Sequence, residues 1–187
     1  MPVLRFEAWM NGNSKTDPGH MGMLDERGSY YYEFEMGTDA PANRGGATPM
    51  SVKVSDVRTE KPYTASSKDM TLHRSTKQEY FRRMLLKTPR NSTTFRFTHM
   101  FYVLADVTDE EYGHVMRMVF LRGAGRTYNF MKEMQVGDPL ATRCLSLLED
   151  LAASRNQSLE RGTALAVLTD FAGKNGLRVH NDPLISY

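Results

Sequence analysis

Alternation of apolar and polar residues with a period of two marks strands, and a three-to-four spacing marks helices. Val3 to Met10 reads as a first strand, followed by the turn residues Asn11-Gly12-Asn13. His20 to Leu24 and Ser29 to Met36 flank Asp25-Glu26-Arg27-Gly28, so a β-hairpin is expected with His20 opening its first strand. In its second strand Tyr30, Tyr32, Phe34 and Met36 share one face, and Tyr31, Glu33 and Glu35 the other. Residues 37–50 are rich in Gly, Ala, Pro and Asn and read as a loop. Met50 to Val57 alternates as a strand, and Arg58 to Asp69 reads as a polar connection. Thr76 to Leu86 reads as a helix stopped before Pro89. Thr93 to Ala105 alternates and then runs apolar, as a central strand does.

Thr108-Asp109-Glu110-Glu111 is a capping-box pattern starting a helix through Phe120. A helix is expected from Leu140 to Ala153, with Leu145, Leu148 and Leu151 or Ala152 on one face and Asp138-Pro139 as its start. A last helix is expected from Leu159 to Ala172, and Leu177 to Tyr187 reads as an irregular tail. No internal repeat or linker divides the chain. The pattern predicts a single α+β domain over residues 1–187, an antiparallel sheet packed against helices.

Composition narrows the partners. Hydrophobic residues at 40% and charged residues at 25% are ordinary for a globular protein. The net charge of +2, from 24 basic and 22 acidic residues, predicts no nucleic-acid partner. No run is long and apolar enough to predict a membrane span, and the N-terminal residues lack the apolar core of a signal peptide. The expectation is a protein cytoplasmic in its producer, or one exported without a signal peptide.

The candidate chemistry centres on the lone cysteine. In the expected helix Cys144 falls in the first one or two turns, where free amide N–H groups and the positive dipole end favour a thiolate. The competing reading is a small apolar residue packed in the core. A thiol nucleophile needs a base. Of the five histidines, His99 sits in a strand run, His114 follows Gly113 in a helix, and His73 and His180 lie in polar segments. His20 differs, because Pro18-Gly19 delivers it at the edge of an apolar strand facing a cleft. Glu33 or Glu35 on the neighbouring strand can bond its far ring nitrogen and fix its tautomer; the competing reading for both is a solvated strand face. No histidine pair has metal-ligand spacing and one cysteine makes no zinc site, so neither metal nor cofactor is expected.

Gly19-His20, Tyr30 to Phe34, Thr108 to Tyr112, Tyr128-Asn129 and Cys144 together resemble the circularly permuted papain-like thiol hydrolases. This is the NlpC/P60-related group that includes the lecithin-retinol acyltransferase-like enzymes. There, histidine precedes cysteine in the chain, and the nucleophile begins a helix after a Tyr-Asn-like segment. The resemblance spans residues 3 to 155. Many members carry Asn before the nucleophile, where this chain has Arg143, whose charge can itself favour a thiolate. The resemblance implies Cys144 as nucleophile, His20 as base and then acid, and Glu33 or Glu35 as orienter. It implies a thiol amidase or peptidase, a delivered antibacterial effector or toxin acting on peptidoglycan peptides, with an immunity or carrier protein as partner. Two alternatives stand beside it: an acyltransferase or thioesterase on the same scaffold, and a non-enzymatic binding or adaptor module with a buried cysteine.

Overall fold

The computed structural model of the protein describes residues 1–11, 18–36, 63–66, 70–86, 97–125 and 142–183. Along the chain these form β1 (Val3–Met10), β2 (His20–Asp25), β3 (Tyr30–Met36), β4 (Tyr63–Ser66), β5 (Met70–Ser75), α1 (Lys77–Leu86), β6 (His99–Asp106), α2 (Asp109–Gly125), α3 (Ser146–Ser154), α4 (Ala164–Asn175) and β7 (His180–Pro183). The expected strand at Met50 to Val57, the loop at 37–50, Tyr128-Asn129, Asp138-Pro139 and Pro89 lie outside the described residues.

The seven strands form one antiparallel sheet in the order β4-β5-β3-β2-β1-β6-β7, and the class is α+β. Side chains alternate across the pleat, so each strand serves two different layers. Leu4, Phe6, Ala8, Met21, Met23 and Phe34 face α2, α3 and α4 in the main core. Trp9, Tyr31 and Met100 face the other way and pack with Tyr80 and Met84 of α1. There Tyr31 stacks on Tyr80 with centroids 4.1 Å apart, and Trp9 meets Phe81 edge-on at 5.3 Å. Gly22 lies beneath Tyr80, and a Cβ there would overlap the phenol oxygen.

The hairpin expected from Asp25 to Gly28 is present, with Asp25 paired to Tyr30 and Ser29 in the left-handed region at φ 60°. The capping box at Thr108 is also present: Thr108 N donates to Glu111 Oε1, and Glu111 N donates to Thr108 Oγ1, both at 3.0 Å. Its helix continues to Gly125, past the expected end at Phe120. Thr76 and Glu79 form a second such box at the head of α1.

Other elements also differ from the pattern's prediction. The polar connection expected from Arg58 to Asp69 contains β4, which pairs with β5 as an edge strand, and among the described residues the strand expected from Thr93 begins at His99. The helix expected from Leu140 begins at Ser146, because a turn precedes it in which Ser146 N donates to Arg143 O at 2.9 Å and Arg143 N donates to Ser146 Oγ at 3.0 Å. The helix expected from Leu159 begins at Ala164, where extended Thr163 caps it by accepting from Ala166 N at 3.2 Å. The supposedly irregular tail contains β7, which pairs with the β6 edge. Its sequence, His180-Asn181-Asp182-Pro183, carries no alternation because polar residues and proline are what an edge strand tolerates.

Arg155 ties the helical layer together. It donates to Glu111 Oε2 at 2.5 Å, to Asn175 Oδ1 at 2.9 Å and to the Asp106 carbonyl at 2.9 Å, joining the end of α3 to the start of α2 and the end of α4.

The α1-side layer also buries a carboxyl group. Glu7 is fully buried, and burial raises its carboxyl pKa above 4.5 despite the Arg5 guanidinium 3.2 Å away. The folded state therefore holds the Glu7 proton to higher pH than the unfolded chain does. Stability from this group is greatest at and below the unfolded value and falls as pH rises through the folded one. Glu7→Gln is expected to remove that loss. Chemical denaturation of both proteins at mildly acid and mildly alkaline pH should show the variant gaining on the wild type as pH rises; a variant that instead loses ground to the wild type as pH rises would overturn the assignment.

Candidate functional site

The site is assembled at one end of the sheet by strand pairing. His20 is the first residue of β2 and pairs with Trp9 of β1, so its ring projects to the α1 side with the Trp9 indole. Glu33 and Glu35, two apart on β3, project to the same side, and His73 of β5 is the cross-strand partner of Glu33. Gly19, at φ +73°, brings the chain into β2; a Cβ there would strike Met10 and the Trp9 carbonyl.

Glu33 is the hub. Its side chain is wholly buried, and its Oε2 lies 2.8 Å from His20 Nε2. Its Oε1 accepts from Arg83 Nε at 2.8 Å and pairs with Nη2 at 2.6 Å. Arg83 comes from α1, three residues after the Tyr80 that anchors that helix, and also donates to Ser75 Oγ. A carboxylate accepts only, so Nε2 carries the proton in neutral His20 and Nδ1 keeps the lone pair. This is a base–orienter arrangement. Between the two glutamates the sequence left open, Glu33 makes the bond to His20, and Glu35 pairs with His73 at 3.4 Å. Donor atoms of His20, Glu33 and Glu35 nonetheless all lie within 4.8 Å of one another.

Cys144 lies in the turn two residues before α3, not inside the helix, and is 8% exposed. Helix direction brings it to the His20 end of the sheet. Tyr112, in the first turn of α2, donates to Asp25 Oδ2 at 2.6 Å, which sets the start of α2 at the far end of β2. The link from Arg155 to Glu111 places the end of α3 beside the start of α2, so the two helices run antiparallel. The N-terminus of α3 therefore points back toward the start of β2. Cys144 packs with the core on the helical side, whereas the His20 ring projects to the α1 side. Arg143 donates to Glu149 Oε1 at 3.2 Å, so its charge is met by a carboxylate one turn into α3.

A second buried ion pair holds the approach to Cys144. Arg122 of α2 grips Asp150 of α3 bidentately, at 2.7 Å from Nε and 2.6 Å from Nη2, and its Nη1 donates to Thr142 Oγ1 at 3.3 Å.

Arg83, Ser75, Arg122 and Asp150 are absent from the sequence-based site. Arg83 carries one signal, being three residues after Tyr80 and so on the helix face that Tyr80 buries. Arg122 and Asp150 carry none, since their pairing depends on how two helices dock. The His20–Glu33–Glu35 grouping is equally invisible to metal-ligand spacing, because its donors come from two paired strands. The chain is thus an α+β protein with a His–Glu–Arg cluster at one end of an antiparallel sheet, its His20 and Glu33 buried and its Arg83 partly exposed. No protein family, no curated protein and no solved structure matches it. Among the described residues, no helix is long and apolar enough to cross a membrane.

Proposed function

We propose that this protein is a thiol hydrolase of permuted papain-like architecture that cleaves amide bonds through an acyl-enzyme. Cys144 is its nucleophile, His20 its general base and then acid, and Glu33 its orienter. One observation carries the reading: the His20–Glu33 hydrogen bond of 2.8 Å, its carboxylate held by Arg83, at the sheet end toward which the start of α3 brings Cys144. The reading requires the Cys144 thiol and the His20 ring, which lie on opposite sides of the sheet, to meet round the start of β2, where the His20 Nδ1 lone pair accepts the thiol proton. The thiolate then attacks the carbonyl, and backbone N–H groups at the head of α3 stabilise the oxyanion. His20 returns the proton to the leaving amine, takes one from water as the hydroxyl attacks the thioester, and gives it back to Cys144. The substrate class, cell-wall peptides met by a delivered antibacterial effector, follows from the resemblance of the Gly19-His20 and Cys144 segments to the NlpC/P60-related enzymes.

A second reading has its own support. Cys144 is 8% exposed and packs on the helical side of the sheet, as expected of a core thiol in a non-enzymatic binding module. The pH dependence of iodoacetamide capture separates the two. In the hydrolase, the Cys144 pKa lies below the reference of about 8.5 and rises toward it in His20→Ala. A thiol that reacts slowly at all pH values and ignores His20 sinks the hydrolase and leaves the binding module.

A further inference from the structure

We propose that His20, Glu33 and Glu35, with His73 at the rim, form a binding site for one divalent transition-metal ion of the zinc type. This goes beyond the hydrolase reading and does not rest on it. The strand register brings all four side chains to one face of the sheet, and Glu33 and His73 are directly paired. Donor atoms of His20, Glu33 and Glu35 already lie within 4.8 Å of one another, and His73 Nε2 is 3.4 Å from Glu35 Oε2.

Nitrogen and oxygen ligands bound tetrahedrally at about 2.0–2.2 Å stand roughly 3.3–3.6 Å apart. The 2.8 Å His20–Glu33 contact must therefore open slightly and the widest separation close, adjustments within the reach of side-chain torsions on a sheet whose backbone stays in place. The side chains are 10%, 0%, 15% and 14% exposed for His20, Glu33, Glu35 and His73, so a bound ion is shielded from bulk water. Arg83 on the second Glu33 oxygen is the kind of outer partner that orients a ligating carboxylate.

The donor set selects the ion. Two imidazoles with two carboxylates suit zinc and its neighbours, whereas calcium and magnesium favour six or more oxygen ligands. Binding requires the His20 Nε2 lone pair, so the imidazole proton moves to Nδ1 and the ring stays neutral. That tautomer cannot accept a proton from a thiol, so metal occupancy and the base role of His20 are alternative states.

The test uses the full chain, stripped with chelator and titrated with zinc chloride against a chromogenic chelator, with no reading of thiol reactivity or hydrolysis. The wild type is expected to bind one zinc per chain. The near-isosteric Glu35→Gln should weaken binding by at least about tenfold, as should His20→Ala. Cys144→Ala should bind as the wild type does, and the cobalt-substituted protein should show d–d bands without a thiolate charge-transfer band. Stoichiometric binding lost in Cys144→Ala would place the metal elsewhere and overturn the site. So would zinc affinity that Glu35→Gln and His20→Ala leave unchanged, or a wild type that takes up no zinc. None of these results bears on Cys144 alkylation, which tests the hydrolase separately.

Discussion

Asp150→Ala is expected to lower the unfolding free energy by about 3–5 kcal/mol, because it leaves the Arg122 guanidinium buried without its carboxylate. Arg122 is 4% exposed and Asp150 7% exposed, and their bidentate contact joins α2 to α3 in the interior. The attraction between the charges does not by itself make the pair stabilising, since burying both ions costs a comparable amount. The asymmetry is the testable feature. Removing one partner forfeits the attraction and keeps the desolvation penalty. Replacing both, as in Arg122→Met with Asp150→Leu, removes the two together and is expected to recover most of the loss. Urea denaturation of the two single variants and the double variant closes the cycle. A double variant as unstable as the sum of the singles would show that the charges act independently. Because Arg122 also donates to Thr142, two residues before Cys144, the single variants should loosen the turn that carries the thiol. That loosening should appear as faster amide exchange at Arg143 to Leu145.

Glu33→Gln is expected to reduce turnover by about 10³–10⁴-fold while leaving the fold intact, by analogy with triads whose orienting carboxylate is made an amide. The amide oxygen can still accept from Arg83, which commits the amide nitrogen to face His20. A donor now meets Nε2, so Nε2 must accept and the imidazole proton moves to Nδ1. The ring remains where it was with the wrong nitrogen protonated, and it cannot take the thiol proton. Glu33→Ala provides the contrast, since it also strips Arg83 of its buried partner and should cost stability as well as activity. Turnover of a fluorogenic peptide amide, with melting temperatures measured alongside, separates the effects. A Gln variant that keeps wild-type turnover would reduce Glu33 to a structural ion-pair partner.

Period-two alternation was enough to read β1, the β2–β3 hairpin and the face shared by Tyr31, Glu33 and Glu35, because pleat geometry ties side-chain direction to sequence position without reference to the rest of the molecule. The cap at Thr108 was legible for the same reason: its donors and acceptors lie within four residues of one another. His20 at the mouth of a strand, with two acidic residues on the strand beside it, follows from the same local rules. Helix boundaries were less accessible. The turn from Arg143 to Ser146 and the cap at Thr163 shorten two helices whose apolar spacing continues past their ends.

What no local rule supplies is the choice between neighbours. Glu33 and Glu35 are equivalent by alternation, and it is the docking of α1 that sets them apart by bringing Arg83 to Glu33. The pairing of β5 with β3 then puts His73 beside Glu35. Likewise, Arg122 and Asp150 become a pair only when α2 and α3 pack antiparallel, and that packing carries Cys144 to the His20 end of the sheet on the helical side. Periodicity along one chain determines which face a residue occupies. Which residue waits on the facing element depends on contacts far apart in sequence, and only the tertiary structure decides it.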